Sequence, residues 1–293
     1  MREKTVKKSM VKAFFDETTF TVSYIVSDPE TRQCAIVDPV LDFDAASGRT
    51  ATHAADKIID YVISEELHVE WILETHIHAD HMTAAPYLKQ KLGGKTGVSD
   101  QVPLIQQTFS EVFHVEPEFA CDGSQFDKLF AEGEAFKIGE IDAKLIQTPG
   151  HTPACATYVI GDAAFVGDVL FMPDFGTARC DFPKGDARML YQSIQKIFAL
   201  PDEMRVFTCH DYMAPGRDHY AWESTIANQK TNNIHVGGGV SEDDFVKMRE
   251  ARDATLAMPK LILPSVQVNM RAGDFPPAET NNIQYLKLPL NAL

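Results

Sequence analysis

The first third of the chain alternates between apolar and polar residues in a way that predicts strands. Residues 18–26, Thr-Thr-Phe-Thr-Val-Ser-Tyr-Ile-Val, follow the two-residue period of a half-buried strand. Asp28-Pro29 interrupts the pattern, and a second apolar run at 34–37 completes a predicted hairpin. Residues 52–67 have the spacing of an amphipathic helix, and residues 71–75 form a buried strand that runs directly into His76.

The middle of the chain repeats this theme. Short apolar runs predict strands at residues 136–138, 143–147, 157–160, 163–166 and 205–209. Helical spacing predicts helices at residues 82–91 and 186–198. Two β-rich halves with helices between them predict an α/β fold of two facing sheets with helices outside, a four-layer α/β/β/α sandwich.

The pattern changes after residue 215. Residues 222–229 and 242–256 are predicted to be helices, and Ser241 is the predicted N-cap of the second. From residue 264 onward, prolines and short apolar runs predict an extended tail. We therefore predict a catalytic unit over residues 1–215 and a helical and extended C-terminal extension over residues 216–293, packed on the same domain.

Composition and charge restrict the function. The chain has 293 residues, 27 Lys and Arg against 42 Asp and Glu, and a net charge of −15. Such an acidic surface repels phosphate backbones and anionic membranes, so neither nucleic acid nor a membrane is an expected partner. No apolar run reaches the roughly 18 residues of a membrane-spanning helix, and no secretory signal is recognisable. Five widely spaced cysteines fit a reducing cytoplasm better than a disulfide framework.

The strongest chemical signal is the segment Thr75-His76-Ile-His78-Ala-Asp80-His81. Three imidazoles and a carboxylate lie within six residues, directly after a buried strand. Neutral imidazole suits zinc, iron and manganese, and a carboxylate adds a hard oxygen ligand. The segment therefore predicts a metal site, since a merely polar loop rarely needs three histidines.

Further candidate ligands follow other predicted strands: His151 in Pro-Gly-His-Thr-Pro, Asp168 in Phe-Val-Gly-Asp, and His210 in Thr-Cys-His-Asp-Tyr. Individually, each has a structural explanation, such as a turn cap for Asp168 or a packed core histidine for His210. Together they place five histidines and two aspartates after four strands, which favours one shared metal centre. The remaining histidines, His53, His68, His114, His219 and His235, are interpreted as surface or packing residues.

This ordered set of side chains resembles the ligand set of the metallo-β-lactamase superfamily, over roughly residues 18–215. The residues around the ligands are similar to those of the persulfide dioxygenases within it, notably 75–84, 149–155, 167–171 and 176–186. The tail around residues 264–273 resembles a bacterial branch named β-lactamase-like hydrolases.

The resemblance implies a non-haem Fe(II) enzyme that oxidises glutathione persulfide with O₂ to sulfite and glutathione, a sulfide-detoxifying reaction. One Fe(II) per chain would be held by His76, His151 and Asp168, and no organic cofactor would be required. We expect His78, Asp80, His81 and His210 to orient and tune these ligands. Tyr212 is a candidate for a hydrogen bond to a ligand or the substrate.

Arg179 is predicted to bind a glutathione carboxylate, because its planar guanidinium pairs bidentately with carboxylates. The alternative for Arg179 is a structural ion pair with Asp181 or Asp186. Cys155 and Cys180 are interpreted as packing residues near the site, and a sulfur-relay role is the minor alternative.

The principal alternative function is a binuclear hydrolase of the glyoxalase II type, acting on S-acylglutathione with zinc or another metal pair. All seven side chains that it needs are present, so the ligands alone do not exclude it. A homodimer is also possible, since the apolar tail would suit a dimer contact.

Overall fold

The computed structural model describes residues 7–292, which contain fifteen strands and seven helices. The strands are β1 (Met10–Asp16), β2 (Thr21–Ser27), β3 (Gln33–Val37), β4 (Val40–Asp44), β5 (Arg49–Ala51), β6 (His68–Leu73), β7 (Met82–Thr83), β8 (Lys95–Ser99), β9 (Lys128–Phe130), β10 (Ala135–Ile138), β11 (Ile141–Gln147), β12 (Ala156–Ile160), β13 (Ala163–Phe165), β14 (Arg205–Phe207) and β15 (Glu223–Thr225). The helices are α1 (His53–Ser64), α2 (Ala85–Leu92), α3 (Val102–Phe113), α4 (Ala187–Phe198), α5 (Ile226–Asn232), α6 (Glu242–Asp253) and α7 (Ile262–Asn269).

Two six-stranded sheets form the centre of the molecule. Their strand orders are β1-β2-β3-β6-β8-β9 and β10-β11-β12-β13-β14-β15, and a small sheet, β5-β4-β7, lies beside them. The pairs β3–β6 and β13–β14 are parallel, so the loops that follow these strands leave at the same edge of their sheets.

The alternation along the strands explains the layers. Val22, Tyr24 and Val26 of β2 face the second sheet and pack there with Tyr158 and Phe165 in one core. The intervening residue Ile25 points the other way, into a core that α1 and α2 close. Helix α4 covers the outer face of the second sheet. The predicted α/β/β/α sandwich is confirmed.

Two predictions for the C-terminal extension are corrected. Residues 222–229 are not one helix, because β15 pairs with β14 in the second sheet, with Ser224 opposite Val206, and α5 starts only after the Thr225 cap. The tail is not wholly extended, because α7 spans Ile262–Asn269. Pro264 is tolerated in its first turn, where the missing N–H has no helical partner. Ser241 caps α6 as predicted.

The extension packs closely on the body. Val268 of α7 lies in the core beneath the first sheet, and Val266 and Met270 pack with α3. The boundary at residue 215 stays a prediction. Within residues 7–292, no helix combines the length and the apolar content needed to cross a membrane.

Candidate metal centre

The predicted ligands meet at one edge of the two sheets. Residues 74–81 follow β6, residues 148–151 follow β11, residues 166–168 follow β13, and residues 208–210 follow β14. Four groups of donor atoms lie in this region, with the atoms of each group within 4.8 Å of one another. Two of them include the buried Cys209, and the other two consist of predicted ligands alone. The first group is His76, His151 and Asp168, and the second is His78, Asp80, His81 and His210.

The first group surrounds a gap of the size of a metal ion. Oδ2 of Asp168 lies 4.0 Å from Nε2 of His76 and 3.7 Å from Nε2 of His151. These distances are too long for hydrogen bonds. An ion about 2 Å from each donor would bridge them. All three side chains are buried, so the donor set fits a metal with two nitrogen ligands and one oxygen ligand.

Hydrogen bonds fix the imidazoles of this first group with Nε2 available. The Thr75 hydroxyl donates to Asp38 at 2.9 Å and so accepts from Nδ1 of His76 at 3.0 Å. Nδ1 of His151 donates to the carbonyl oxygen of Arg179 at 2.8 Å. Because Nδ1 carries the proton in both rings, Nε2 keeps its lone pair for a metal.

The second group is held differently. Nε2 of His210 lies 3.0 Å from Oδ2 of Asp80 and 3.4 Å from Oδ1 of Asp168. Nε2 of His78 lies 3.0 Å from Asp38 and 3.3 Å from Glu74. Nδ1 of His78 and Nε2 of His81 are buried and have no hydrogen-bond partner among residues 7–292. If these two nitrogens ligate a metal, their lone pairs are used without a hydrogen bond, which would explain why neither has a partner.

Burial and neighbouring charges shift the pKa values of the site histidines in opposite directions. Burial, with His78 and His151 beside it, holds the pKa of His76 well below its usual value. Burial also lowers the pKa of His81, to about 4. Burial opposes the charged form of His210 too, but the Asp80 and Asp168 carboxylates outweigh it and raise its pKa to about 9. Asp38 and Glu74 likewise outweigh burial and raise the pKa of His78 well above its usual value.

The sequence profile of the metallo-β-lactamase superfamily matches residues 17–210, which include every one of these ligands. The chain belongs to the metallo-β-lactamase superfamily.

Relatives within this superfamily carry different names. The "Beta-lactamase hydrolase-like protein" of Agrobacterium fabrum is 54% identical over 97% of this chain, and the match spans 65% of that protein. "Glyoxylase B2" of Dictyostelium discoideum is 48% identical over 98% of each chain. The human mitochondrial "Persulfide dioxygenase ETHE1" is 30% identical over 90% of this chain and 89% of its own.

A solved structure supports the fold and the family. The crystal structure of ETHE1 from Myxococcus xanthus superimposes with a TM-score of 0.71 at 29% sequence identity. The superposition covers 90% of this chain and all of that chain. The superfamily fold therefore extends beyond the profile match into the C-terminal extension.

The predicted substrate-binding residues lie beside this metallo-β-lactamase centre. The Tyr212 ring stacks on His210, with centroids 5.6 Å apart and planes 13° apart, and it is 38% exposed. The Arg179 guanidinium donates to both carboxylate oxygens of Asp181 and to the Ala257 carbonyl, which matches the structural ion pair kept as the alternative. A contact between Arg179 and a substrate carboxylate stays a prediction.

The cysteines near the centre are buried free thiols. Burial raises the pKa of Cys155 to about 12, despite hydrogen bonds from Thr152. Burial also raises the pKa of Cys180. A thiol with a raised pKa is a poor nucleophile at neutral pH, which fits the packing role.

Two carboxylates of the site were missed from the sequence. Asp38 follows β3 and binds both Thr75 and His78. Glu74 ends the β6 segment, accepts from the Thr83 hydroxyl and is buried. The signal for Asp38 was available, because an aspartate directly after an apolar strand is the same signal that identified Asp168. Glu74 gave no comparable signal, since it was included in the predicted strand.

Proposed function

We propose that the protein is a persulfide dioxygenase that holds one Fe(II) in its first donor group. The overall reaction joins glutathione persulfide, O₂ and water, and yields glutathione, sulfite and two protons. Four electrons pass from the persulfide's outer sulfur to O₂, and the sulfur–sulfur bond breaks to leave the thiol. No organic cofactor is needed, because the substrate supplies all the electrons.

The different geometry of the two donor groups carries the proposal. In the first group, Nε2 of His76 and Nε2 of His151 lie 4.0 Å and 3.7 Å from Asp168, beyond hydrogen-bond distance, so both lone pairs stay available. In the second group, Nε2 of His210 lies 3.0 Å from Asp80 and Nε2 of His78 lies 3.0 Å from Asp38, and these carboxylates raise the pKa of both imidazoles. A cation therefore enters the first group without disturbing an ion pair, whereas in the second group it competes with protons. This supports one metal ion in the His76, His151 and Asp168 set.

Iron in this set would supply the redox chemistry of O₂, with open positions left by its three protein ligands. The protein's own part is to hold and orient. Asp38 and the Thr75 hydroxyl fix His76, and the Arg179 carbonyl fixes His151. Tyr212 stacks on the buried His210 and is itself partly exposed, and we place the substrate beside it. The name and 90% coverage of the human persulfide dioxygenase support this assignment.

A binuclear hydrolase of S-acylglutathione is the second candidate. The unpartnered Nδ1 of His78 and Nε2 of His81 favour it, as do the names of the more similar relatives. Asp168 could serve both metals, since Oδ2 faces the first group and Oδ1 faces His210. Two metals would then supply a bound hydroxide that attacks the thioester.

One experiment separates these two functions. The purified protein is loaded anaerobically with Fe(II), its metal content is measured, and glutathione persulfide is added while dissolved O₂ and sulfite are followed. A parallel sample receives S-lactoylglutathione. We expect O₂ uptake with matching sulfite at about one iron per chain. Thioester hydrolysis without O₂ uptake, by protein shown to hold metal, would establish the hydrolase instead.

Two variants with a matched control sharpen the result. His76→Ala removes a ligand of the first group and should abolish both iron binding and O₂ uptake. His81→Ala removes a donor of the second group and should leave the iron content unchanged, whereas a binuclear enzyme would lose one of its metals. His219→Ala alters an exposed histidine and should leave the metal content and the turnover unchanged.

A further inference from the structure

The C-terminal extension reaches the metal-binding loop through one side chain, Asn269, at the end of α7. Nδ2 of Asn269 donates to the carbonyl oxygen of His78 at 2.8 Å and to that of His81 at 2.7 Å. Its Oδ1 accepts from the backbone N–H of Thr83 at 2.9 Å. The side chain therefore spans the loop segment that carries His78, Asp80 and His81.

The chemistry of the amide allows only this orientation. Both carbonyl oxygens need a donor, and the Thr83 N–H needs an acceptor, so exchanging Nδ2 and Oδ1 would lose all three bonds. Asn269 is 2% exposed, so water cannot replace the lost partners without entering the core. Each of the three bonds goes to backbone, which means that Asn269 sets the path of the loop.

We propose that Asn269 is a positioning residue of the metal centre, acting through the backbone of residues 78–83. Nδ1 of His78 and Nε2 of His81 point towards the centre only if the intervening turn keeps its shape. The other anchors lie at the ends of the segment, where Asp38 contacts the His78 ring and Met82 and Thr83 pair with β4. This inference rests on the metal centre and is independent of which reaction the centre performs.

The inference also gives the extension a role in the site. The superfamily profile ends at residue 210, and Asn269 lies in a helix outside it. The extension thus completes the support of a loop that lies far earlier in the chain, at a sequence separation of 191 residues from His78.

The same helix provides a matched control in Gln267. Its Nε2 donates to the carbonyl oxygens of Leu263 and Lys287, and its Oε1 accepts from the backbone N–H of Lys287. Gln267 is 3% exposed. Asn269→Asp and Gln267→Glu are therefore equivalent changes: each keeps the size and one accepted bond and removes two donors. They differ in the acceptors that lose a donor. In Asn269→Asp these are carbonyl oxygens of the metal-binding loop, and in Gln267→Glu they are carbonyl oxygens within the extension.

Metal binding is measured on metal-free protein with Co²⁺, in competition with a chromophoric chelator, without substrate. The visible spectrum of the bound Co²⁺ reports ligand geometry, and urea unfolding of the metal-free protein reports stability. Both variants should lose stability to a similar extent. Only Asn269→Asp should weaken binding of the second Co²⁺, the ion that occupies the group of His78, Asp80 and His81, by about 10–100-fold, and alter the spectrum of that ion.

Asn269→Asp with wild-type affinity and spectrum for the second Co²⁺ would overturn the inference, and so would an equal loss of that affinity in Gln267→Glu. If the Asp variant does not fold, Asn269→Ser replaces it, since a hydroxyl keeps one donor and leaves only a small cavity. The same criteria then apply to the Ser variant. Failure of persulfide turnover in the wild type would count against the proposed function and leave this inference standing.

Discussion

At the scale of single residues, the centre depends on a carboxylate that does not touch the predicted metal. Asp38 receives hydrogen bonds from both the backbone N–H and the hydroxyl of Thr75, and it lies 3.0 Å from His78. Through Thr75 it also determines which nitrogen of His76 carries the proton. One buried side chain therefore orients an imidazole in each donor group.

Replacing Asp38 with Asn should weaken metal binding and stability together. The amide keeps one acceptor oxygen and turns its NH₂ group towards one of the two Thr75 donors, and it leaves Glu74 as the remaining carboxylate beside His78. We expect a loss of about 10–100-fold in metal affinity and about 3–5 kcal/mol in unfolding free energy. Chelator competition and urea unfolding measure the two effects. Asp44→Asn, which alters an exposed carboxylate with local hydrogen bonds, is the control, and an equal effect there would contradict the prediction.

The pH dependence of metal binding should distinguish the two donor groups. Asp80 and Asp168 raise the pKa of His210 to about 9 against the effect of burial, so below that pH a proton competes with any metal there. Affinity for a second Co²⁺ should therefore rise by at least about tenfold per pH unit between pH 7 and 9, since His78 in the same group also has a raised pKa. Affinity for the first ion should change little, because the pKa of His76 is already low.

Co²⁺ titrations at pH 7, 8 and 9 test this directly. Two binding steps with the same pH slope would count against the assignment of His76 and His210 to different protonation states. His210→Gln should reduce the slope of the second step by about tenfold per pH unit, which corresponds to one proton, and leave the first step unaltered.

At the scale of elements, α6 supports the segment that fixes His151. Asp253 accepts from the backbone N–H of Cys180 at 2.8 Å and pairs with the buried Arg249. Arg249 donates in turn to the Thr177 carbonyl at 3.0 Å. The carbonyl of Arg179, between these two anchors, is the acceptor for His151. The extension therefore supports both donor groups, through α6 and through α7.

Asp253→Asn should destabilise the protein far more than a surface change on the same helix. It breaks a buried pair and leaves Arg249 uncompensated, which costs about 3–5 kcal/mol. Asp243→Asn breaks an exposed pair with Arg188, and such pairs contribute about 0–1 kcal/mol. Urea unfolding compares the two variants. Similar midpoints for both would show that Arg249 finds another partner.

Sequence periodicity predicted those helices and strands whose structure follows from their own hydrophobic pattern. Helices α1 and α4 show the helical period because one face of each is buried against one sheet, and β2 and β3 are recognisable as apolar stretches that are buried on both faces. Residues 223–225 were predicted as helix, because their strand state comes from pairing with β14, which lies outside any local window. Helix α7 was missed for a related reason, since packing against α3 and β7 outweighs its prolines and short apolar runs.

Site residues were predictable where a residue type that binds metals directly follows a predicted strand. His76, His151, Asp168 and His210 each follow a strand and belong to residue types that bind metals. Asn269 has neither property, since an amide in a tail gives no indication that it will bind a loop in the first third of the chain. Arg179 was singled out for its guanidinium, whereas its carbonyl makes the bond to His151.

At the scale of the whole molecule, the two sheets place chemistry from distant parts of the chain at one edge. Tyr24 of the first sheet donates to the Thr208 carbonyl of the second, and Tyr158 donates back to the Glu74 carbonyl. These bonds connect the strand ends that precede His210 and His76. The net charge of the whole chain, −15, remains our reason to expect no nucleic acid and no anionic membrane as partners. Self-association through the exposed tail residues Leu288 and Leu290 also stays a prediction.

The bond between Asn269 and His78 has a consequence for the order of events in folding. Contacts between residues so far apart in sequence form late, because closing a long loop costs entropy before the contact repays it. The two sheets can pair while the loop at residues 78–81 still lacks its support, so metal should be captured tightly only at the end of folding. Hydrogen exchange pulses during refolding would show this as late protection of the Thr83 amide, after the strand amides, and early protection there would contradict it.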